Sequence, residues 1–135
     1  MNGETYALRG AAHPECLEEL HELVARAGAE HPEVADLDFM LLETAVIEVA
    51  GNFVEHAAAN NAVTFAFELR VLPDALDVRI DDDGPEFQGE LGTGMPGEFE
   101  ESGRGLPIAA SVLDEFTYHR DGSLNRWCLR RALPA

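Results

Sequence analysis

The chain has 135 residues, 46% of them hydrophobic, which suits one domain over residues 1–135 that buries roughly two thirds of the unfolded chain's surface. Its 26 acidic residues stand against nine arginines and no lysine, for a formal net charge of −17, so direct binding to nucleic-acid phosphates or anionic lipid is disfavoured. Because no apolar run approaches the roughly 20 residues that a bilayer requires, and no signal peptide is recognisable, we expect a cytoplasmic protein without membrane contacts.

The first part of the chain predicts one strand and two helices. Residues 4–10 are typical of a short edge strand. In residues 14–28 apolar side chains recur every three to four positions, with a proline near the start and a glycine at the end, which predicts an amphipathic helix. The strongest helical signal covers residues 36–59, where a stripe of apolar side chains repeats with a 3.6-residue period: Phe39, Leu42, Val46, Val49, Phe53 and Ala57.

Two hairpins are predicted in the second part. Residues 62–72 and 75–82 show near-alternation of β-branched and aromatic residues, which predicts two strands joined by a tight turn. Strands are also predicted at 115–119 and 123–133, because Asp121-Gly122 between them is a strong hairpin signal.

A glycine-rich segment separates the two hairpins. Residues 84–105 hold seven glycines and show no periodicity, which predicts a long loop, and residues 106–113 then carry a helical pattern. The order of elements predicts a two-layer α/β sandwich with helices on one face of a sheet. Cys16 and Cys128 match no metal-binding spacing, so we expect both to be buried, reduced thiols.

The first group of residues that could carry chemistry lies in the second predicted helix. Glu48 and Asn52 are four positions apart and therefore project from the same side, with His56 one turn further on. An amide oxygen suits Mg²⁺, and a nearby carboxylate can accept a proton from an attacking hydroxyl. The same three residues also fit the solvated edge of an ordinary amphipathic helix.

Two further groups flank the glycine-rich segment. Asp82, at the end of a predicted strand, can accept a hydrogen bond from an exocyclic amine, and Gly84 lets the backbone approach a planar ring, although Asp-x-Gly runs also form simple turns. Gly103, Arg104 and Gly105 stand directly before the third predicted helix, where free backbone N–H groups and a positive charge suit a phosphate. A flexible helix entry with an exposed arginine is the ordinary alternative.

Taken in order, these groups resemble the ATPase and kinase superfamily that includes gyrase B, Hsp90, sensor histidine kinases and MutL, known as the GHKL or Bergerat fold. Its N box would be EVAGNFVEHA, its first glycine box DDDGPEF and its second GRGLPIAASVLDE. The short chain, the PEF ending of the first glycine box and the tail VLDEFTYHRDGSLNRWCLRRAL resemble most the bacterial anti-sigma factors with serine/threonine kinase activity, of the RsbW and SpoIIAB type. The resemblance covers residues 5–133.

The resemblance implies a mixed, mostly antiparallel sheet with helices on one face, and a flexible ATP lid over about residues 85–103. Glu86 stands where many members of the superfamily have a second glycine, so the details of that lid do not carry over. Asn52 would coordinate a Mg²⁺ ion that bridges the ATP phosphates, Glu48 would be the general base, and His56 would belong to the nucleotide-binding residues.

The glycine boxes would hold the rest of the nucleotide. The resemblance implies that Asp82 binds the adenine amine and that Gly84 leaves room for the ring. Gly103, Arg104 and Gly105 would contact the phosphates. A lysine that many members place near the phosphates has no counterpart here, so Arg104 would have to serve in its place.

In function, the resemblance implies an anti-sigma regulator that binds ATP and Mg²⁺, holds a sigma factor and phosphorylates a serine or threonine on a small STAS-type antagonist. It also implies a homodimer, to which residues 4–10 and 14–28 carry enough apolar side chains to contribute. Two alternatives stay open. One is a nucleotide-binding or nucleotide-free module that sequesters a basic partner without catalysis, and the other is a switch kinase of the same fold in a phosphatase-activating pathway.

Overall fold

The computed structural model describes residues 4–59, 62–87 and 101–134, the last range with its side chains from Leu106 onward. No helix within these ranges is long and apolar enough to cross a membrane. The predicted order of strands and helices is confirmed. In chain order the elements are β1 (Glu4–Ala11), α1 (Glu15–Glu30), α2 (Asp36–Ala59), β2 (Thr64–Leu72), β3 (Ala75–Asp82), α3 (Glu101–Ser111), β4 (Glu115–Asp121) and β5 (Leu124–Ala132).

The five strands form one sheet in the order β1-β2-β3-β5-β4, with β1 at an edge as expected. All four pairings of these described strands are antiparallel, so the mixed sheet that the resemblance implied is wrong here. The reason is that β5 returns from β4 through a tight turn and inserts beside β3. Gly122 in that turn has φ +62°, the left-handed conformation that glycine adopts at little cost.

The helices cover one face of the sheet, so the predicted two-layer α/β sandwich is confirmed. Alternate side chains of the central strands are buried beneath the helices, among them Phe67 and Leu69 of β2 and Leu129 of β5. The ring of Phe53, on α2, stacks on Phe65 of β2 with 5.2 Å between centroids. The opposite face is polar, with Glu68 and Arg79 side by side on neighbouring strands.

The two cysteines differ in environment. Cys16 lies on the buried side of α1, and burial raises the pKa of its thiol. Cys128 is exposed, so the expectation of two buried thiols is wrong for this residue. The alternation of β5 explains the difference, because Trp127 and Leu129 point into the core and Cys128 between them points to the open face.

Candidate functional site

Asp82 ends β3 and points into the interior, where the residue is only 3% exposed. Its Oδ1 accepts hydrogen bonds from the backbone N–H of Gly84 (2.9 Å) and from Nδ2 of Asn125 (2.8 Å), and its Oδ2 accepts one from Nε1 of Trp127 (3.0 Å). These three donors compensate for the water that burial removes. Since a carboxylate can accept about four hydrogen bonds, Oδ2 has one acceptor position without a donor among the described residues.

Asn125 is a residue of this site that the sequence reasoning missed. It lies on β5 directly opposite Asp82, is 2% exposed, and donates from Nδ2 also to the carbonyl oxygens of Pro85 (2.9 Å) and Gly84 (3.2 Å). The sequence does hold a signal. Side chains of β5 alternate between the two faces of the sheet, and Asn125 lies on the same face as the buried Trp127. A polar side chain on the buried face of a strand requires hydrogen-bond partners.

The segment after β3 is anchored to the β4–β5 hairpin. The backbone N–H of Phe87 donates to the Tyr118 hydroxyl (3.0 Å), and Nη1 of Arg120 donates to the carbonyl oxygen of Gly84 (2.9 Å). The Phe87 ring packs against Tyr118 and Trp127, with centroids 5.5 and 5.4 Å apart. The first residues of the lid predicted at about 85–103 are therefore held in place, whereas residues 88–100 lie outside the described part of the chain.

Gly84 is required by close packing against Asp82. A Cβ atom built on Gly84 would lie 3.0 Å from Oδ1 of Asp82 and 3.6 Å from the side chain of Val63. Because Oδ1 is held by two hydrogen bonds, it cannot move away at little cost. The structure thus brings Gly84 and Asp82 together, as the sequence predicted, but the neighbour that demands glycine here is the carboxylate.

Helix α2 runs from one end of the sheet to the end where Asp82 lies. Near its start, Asp38 accepts a hydrogen bond from Nε of Arg131 (2.8 Å), which lies at the opposite end of β5 from Asn125. Near its finish, Phe53 stacks on Phe65, the cross-strand partner of Asp82. The last three turns of α2 are therefore next to the Asp82 end of the sandwich.

Asn52 and His56 lie on the flank of α2 that faces away from α1, and Glu48 lies at the edge of this flank, where it also lines a groove that reaches His21 of α1. Glu43 of α2 contacts His21 of α1, and at about 100° per residue Asn52 is on the opposite side of the helix from Glu43, with Glu48 and His56 roughly 40° to either side. Glu48 and Asn52 are half-buried and His56 is exposed. Since α2 packs against α1 and α3, this flank is on the α3 side.

Helix α3 begins earlier than predicted. It spans Glu101–Ser111, so Gly103, Arg104 and Gly105 lie inside it, and the prediction that they precede it is wrong. The sequence misleads here because glycine costs about 1 kcal/mol in a helix interior, a cost that the buried side chains of the following turns offset. A helix leaves the N–H groups of its N-cap and of its first three residues without an internal partner. In α3 these include Gly103, whereas the N–H groups of Arg104 and Gly105 lie within the hydrogen-bonded part.

The direction of α3 places its start near Asp82. Nη1 of Arg131 donates to the carbonyl oxygen of Val112 (2.7 Å), so the helix ends at the Arg131 end of the sheet. Leu106 and Ala109 are buried in the core, and eleven residues extend roughly 16 Å. The N-terminal turn of α3 therefore lies toward the same end of the sandwich as Asp82 and the last turns of α2.

The residues on this flank fit a magnesium ion shared with a ligand. Among the described residues no group of three or more His, Cys, Asp or Glu side chains could enclose a metal, and Asn52 contributes one neutral oxygen. Mg²⁺ commonly takes one or two protein oxygens and completes its shell with phosphates and water. The donor set at Asn52 therefore suits a metal carried by a phosphorylated ligand.

Together, these three segments offer complementary chemistry at one end of the fold. The Asp82 carboxylate can accept a hydrogen bond from an amine, the first turn of α3 offers free N–H groups to an anion, and the α2 flank offers one oxygen ligand and one carboxylate. The site thus has an acceptor for an amine at one side and groups that bind a metal and an anion at the other. This arrangement suits a nucleoside triphosphate.

Comparison with known proteins agrees with this geometry. A family model described as "Histidine kinase-like ATPase domain" matches residues 10–131, which include Glu48, Asn52, Asp82 and the first turn of α3. No curated protein matches the chain.

Proposed function

The chain belongs to the family of histidine kinase-like ATPase domains, and we propose that it is an anti-sigma kinase, which transfers a phosphoryl group from Mg-ATP to a serine or threonine of a small STAS-type antagonist. The single observation that carries the proposal is the convergence at one end of the fold of the Asp82–Gly84 segment, the flank of α2 with Glu48 and Asn52, and the first turn of α3.

Adenine recognition falls to Asp82. Three protein N–H groups hold its carboxylate in one orientation, and Oδ2 keeps one acceptor position for the exocyclic amine. Gly84 keeps the backbone beside the carboxylate free of a side chain, which leaves space for a planar ring.

Helices α2 and α3 provide the groups that would bind the phosphates. Mg²⁺ would be held by Asn52 and would neutralise charge on the phosphate oxygens. The free backbone N–H groups of the first turn of α3, among them that of Gly103, would donate to phosphate oxygens, and His56 extends the polar flank of α2 toward them. As the resemblance implies, Arg104 would add positive charge beside the phosphates. Such a set relies on positioning and charge neutralisation, which are the main requirements of phosphoryl transfer.

Glu48 is the proposed general base. Its side chain is half-buried and lines an open groove on the outer surface of α2, which it shares with Met40, Glu43, Thr44 and Ile47 and with His21 of α1. A hydroxyl on another protein would approach the carboxylate from this groove. Glu48 takes the proton from the serine or threonine hydroxyl while the hydroxyl oxygen attacks the γ-phosphorus. The bond from the γ-phosphorus to the bridging oxygen breaks, ADP leaves, and a phosphoserine or phosphothreonine remains on the antagonist.

The surface charge suits the proposed sigma factor partner. Four carboxylates of α1, those of Glu15, Glu18, Glu19 and Glu22, are exposed on a chain of net charge −17, and a basic segment of a sigma factor would be attracted to them. We extend the proposal to a cytoplasmic homodimer that forms through β1, the edge strand of the sheet, because the apolar side chains of α1 are buried in the core of the same chain. Light scattering on the purified protein tests this point directly.

One observation favours a second candidate function, a module that sequesters its partner without catalysis. Asp82 is 3% exposed and already has three protein donors, so its carboxylate is satisfied without a nucleotide. A domain that had lost nucleotide binding would retain this arrangement for its contribution to stability. Titration with ATP separates the kinase from a nucleotide-free module, which shows no saturable binding. A module that binds nucleotide without catalysis is recognised because it transfers no label to the antagonist.

The kinase function is tested by incubating the protein with labelled ATP, Mg²⁺ and an antagonist protein. We expect label on the antagonist, and we expect Glu48→Ala to lower the rate by about 10² to 10⁴, the usual contribution of a general base, with ATP affinity retained. Glu55→Ala is the matched control, because Glu55 is exposed on the same helix and should react at the wild-type rate. Equal rates for the two variants would rule out Glu48 as the base.

A further inference from the structure

Asn125 connects Asp82 to the segment that follows it, and it is not among the site residues predicted from the sequence. We propose that Asn125 is a positioning residue for base recognition, which holds Asp82 and the backbone of Gly84 and Pro85 in the arrangement that reads the adenine amine. This inference rests on the proposed nucleotide site and adds to it a residue that never touches the nucleotide.

Among the described residues, the amide nitrogen of Asn125 contacts three acceptors. Nδ2 lies 2.8 Å from Oδ1 of Asp82, 2.9 Å from the carbonyl oxygen of Pro85 and 3.2 Å from that of Gly84. An amide nitrogen has two hydrogens, so the two shorter contacts take one each and the longer one is shared. One side chain thereby fixes both the adenine-reading carboxylate and the backbone that follows it.

The amide oxygen of Asn125 contacts two donors within the described part of the chain. It accepts hydrogen bonds from the Tyr118 hydroxyl and from Nη1 of Arg120 (3.0 Å). Arg120 donates in addition to the carbonyl oxygens of Gly84 (2.9 Å) and Gly122 (2.9 Å). Turning the amide over would set its oxygen against a carboxylate and two carbonyls, so only one orientation of Asn125 is stable.

This arrangement decides which acceptor position of Asp82 remains for a ligand. Asn125 and the N–H of Gly84 occupy Oδ1, and the Trp127 indole holds Oδ2 in place while leaving it one lone pair. Without Asn125, Oδ1 loses one of its two donors and the carboxylate can rotate. An acceptor that rotates no longer distinguishes a purine with an exocyclic amine from one with an oxo group at that position.

The test compares ATP with inosine triphosphate, in which an oxo group replaces the amine, by calorimetric titration in the presence of Mg²⁺. The wild type should favour ATP roughly 10- to 100-fold, the range for one hydrogen bond to a charged acceptor. Asn125→Ala should bring this ratio close to one, with inosine triphosphate bound within about twofold of the wild-type affinity, as expected if only the contact with the amine is lost. A structural role alone would weaken both nucleotides equally and leave the ratio unchanged.

A second variant covers the case in which Asn125→Ala does not fold. Tyr118→Phe removes one donor to the Asn125 oxygen and also the acceptor of the Phe87 N–H. The first loss should lower the preference for ATP over inosine triphosphate about threefold to tenfold, the worth of one hydrogen bond, whereas the second, in the backbone, should affect both nucleotides alike. Thr117→Ala is the matched control, because Thr117 is exposed on the opposite face of β4, and it should keep the wild-type ratio.

The outcomes separate this inference from the proposed function. A wild-type protein that binds neither nucleotide overturns the nucleotide site itself and the role of Asn125 with it. If the wild-type protein binds ATP and the folded Asn125 or Tyr118 variant keeps the wild-type ratio of ATP affinity to inosine triphosphate affinity, only the role of Asn125 is overturned.

Discussion

Replacing Asp82 by asparagine perturbs the centre of the proposed site with almost no change in shape. If the new amide keeps its oxygen toward Gly84 and Asn125, its nitrogen faces the indole N–H of Trp127, and two donors then meet in the interior. One unsatisfied buried donor costs about 1–3 kcal/mol, and the two retained hydrogen bonds lose about 1 kcal/mol each when the acceptor is no longer charged. An amide is cheaper to bury than a carboxylate, so we expect a net loss of about 2–3 kcal/mol in the free energy of unfolding.

Trp127 is the only tryptophan of the chain and is 3% exposed, so its fluorescence reports unfolding at the site itself. At about 1–3 kcal/mol per molar urea, the predicted loss lowers the midpoint of unfolding by about 1 M or more. Asp83→Asn is the matched control, because Asp83 is exposed and accepts two hydrogen bonds from Thr64, and it should lose less than about 1 kcal/mol. Equal midpoints for the two variants would refute the account of Asp82, as would unchanged ATP affinity in Asp82→Asn.

Two further predictions concern packing and charge. Gly84→Ala places a Cβ atom 3.0 Å from the fixed Oδ1 of Asp82 and should lower the free energy of unfolding in urea by about 1–3 kcal/mol. Gly51→Ala is the control, because a Cβ atom there meets nothing within 4 Å, and it should raise the free energy of unfolding by about 0.5–1 kcal/mol. The reverse order of the two variants would contradict the packing argument. The hydrogen bond to Glu43 raises the pKa of His21 above its ordinary value, so this contact stabilises the fold at pH below the ordinary histidine pKa and the effect is lost as pH rises through the raised one. Proton NMR titration should show the His21 pKa falling in Glu43→Gln, and an unchanged pKa would remove the contact as its cause.

Most of the fold could be predicted from local sequence patterns. The apolar stripe of α2 predicted both its length and its buried face, because a helix of 24 residues repeats its period often enough to be unambiguous. The hairpin at Asp121-Gly122 was predictable because few residues other than glycine adopt the required φ. The start of α3 was not predictable, since its glycines oppose a helix that is stabilised by the burial of Leu106 and Ala109, a tertiary effect that the local sequence does not show.

The site was predictable only in part, for a related reason. Glu48 and Asn52 share a helix, and Asp82 and Gly84 are neighbours in sequence, so spacing alone puts the members of each pair together. Asn125 is 43 positions from Asp82, and their contact depends on β5 lying beside β3 in one particular register. Register follows from long-range pairing of strands, which the sequence of either strand alone does not specify.

The central claim is that a nucleotide binds at the Asp82 end of the sandwich, and the measurement that tests it most directly is a titration of the ¹⁵N-labelled protein with Mg-ATP, followed by NMR. We predict saturable shifts of the backbone N–H of Gly84, the side-chain amide of Asn52 and the indole N–H of Trp127. Shifts confined to the open face of the sheet around Arg79, or no shifts at millimolar ATP, would contradict the claim.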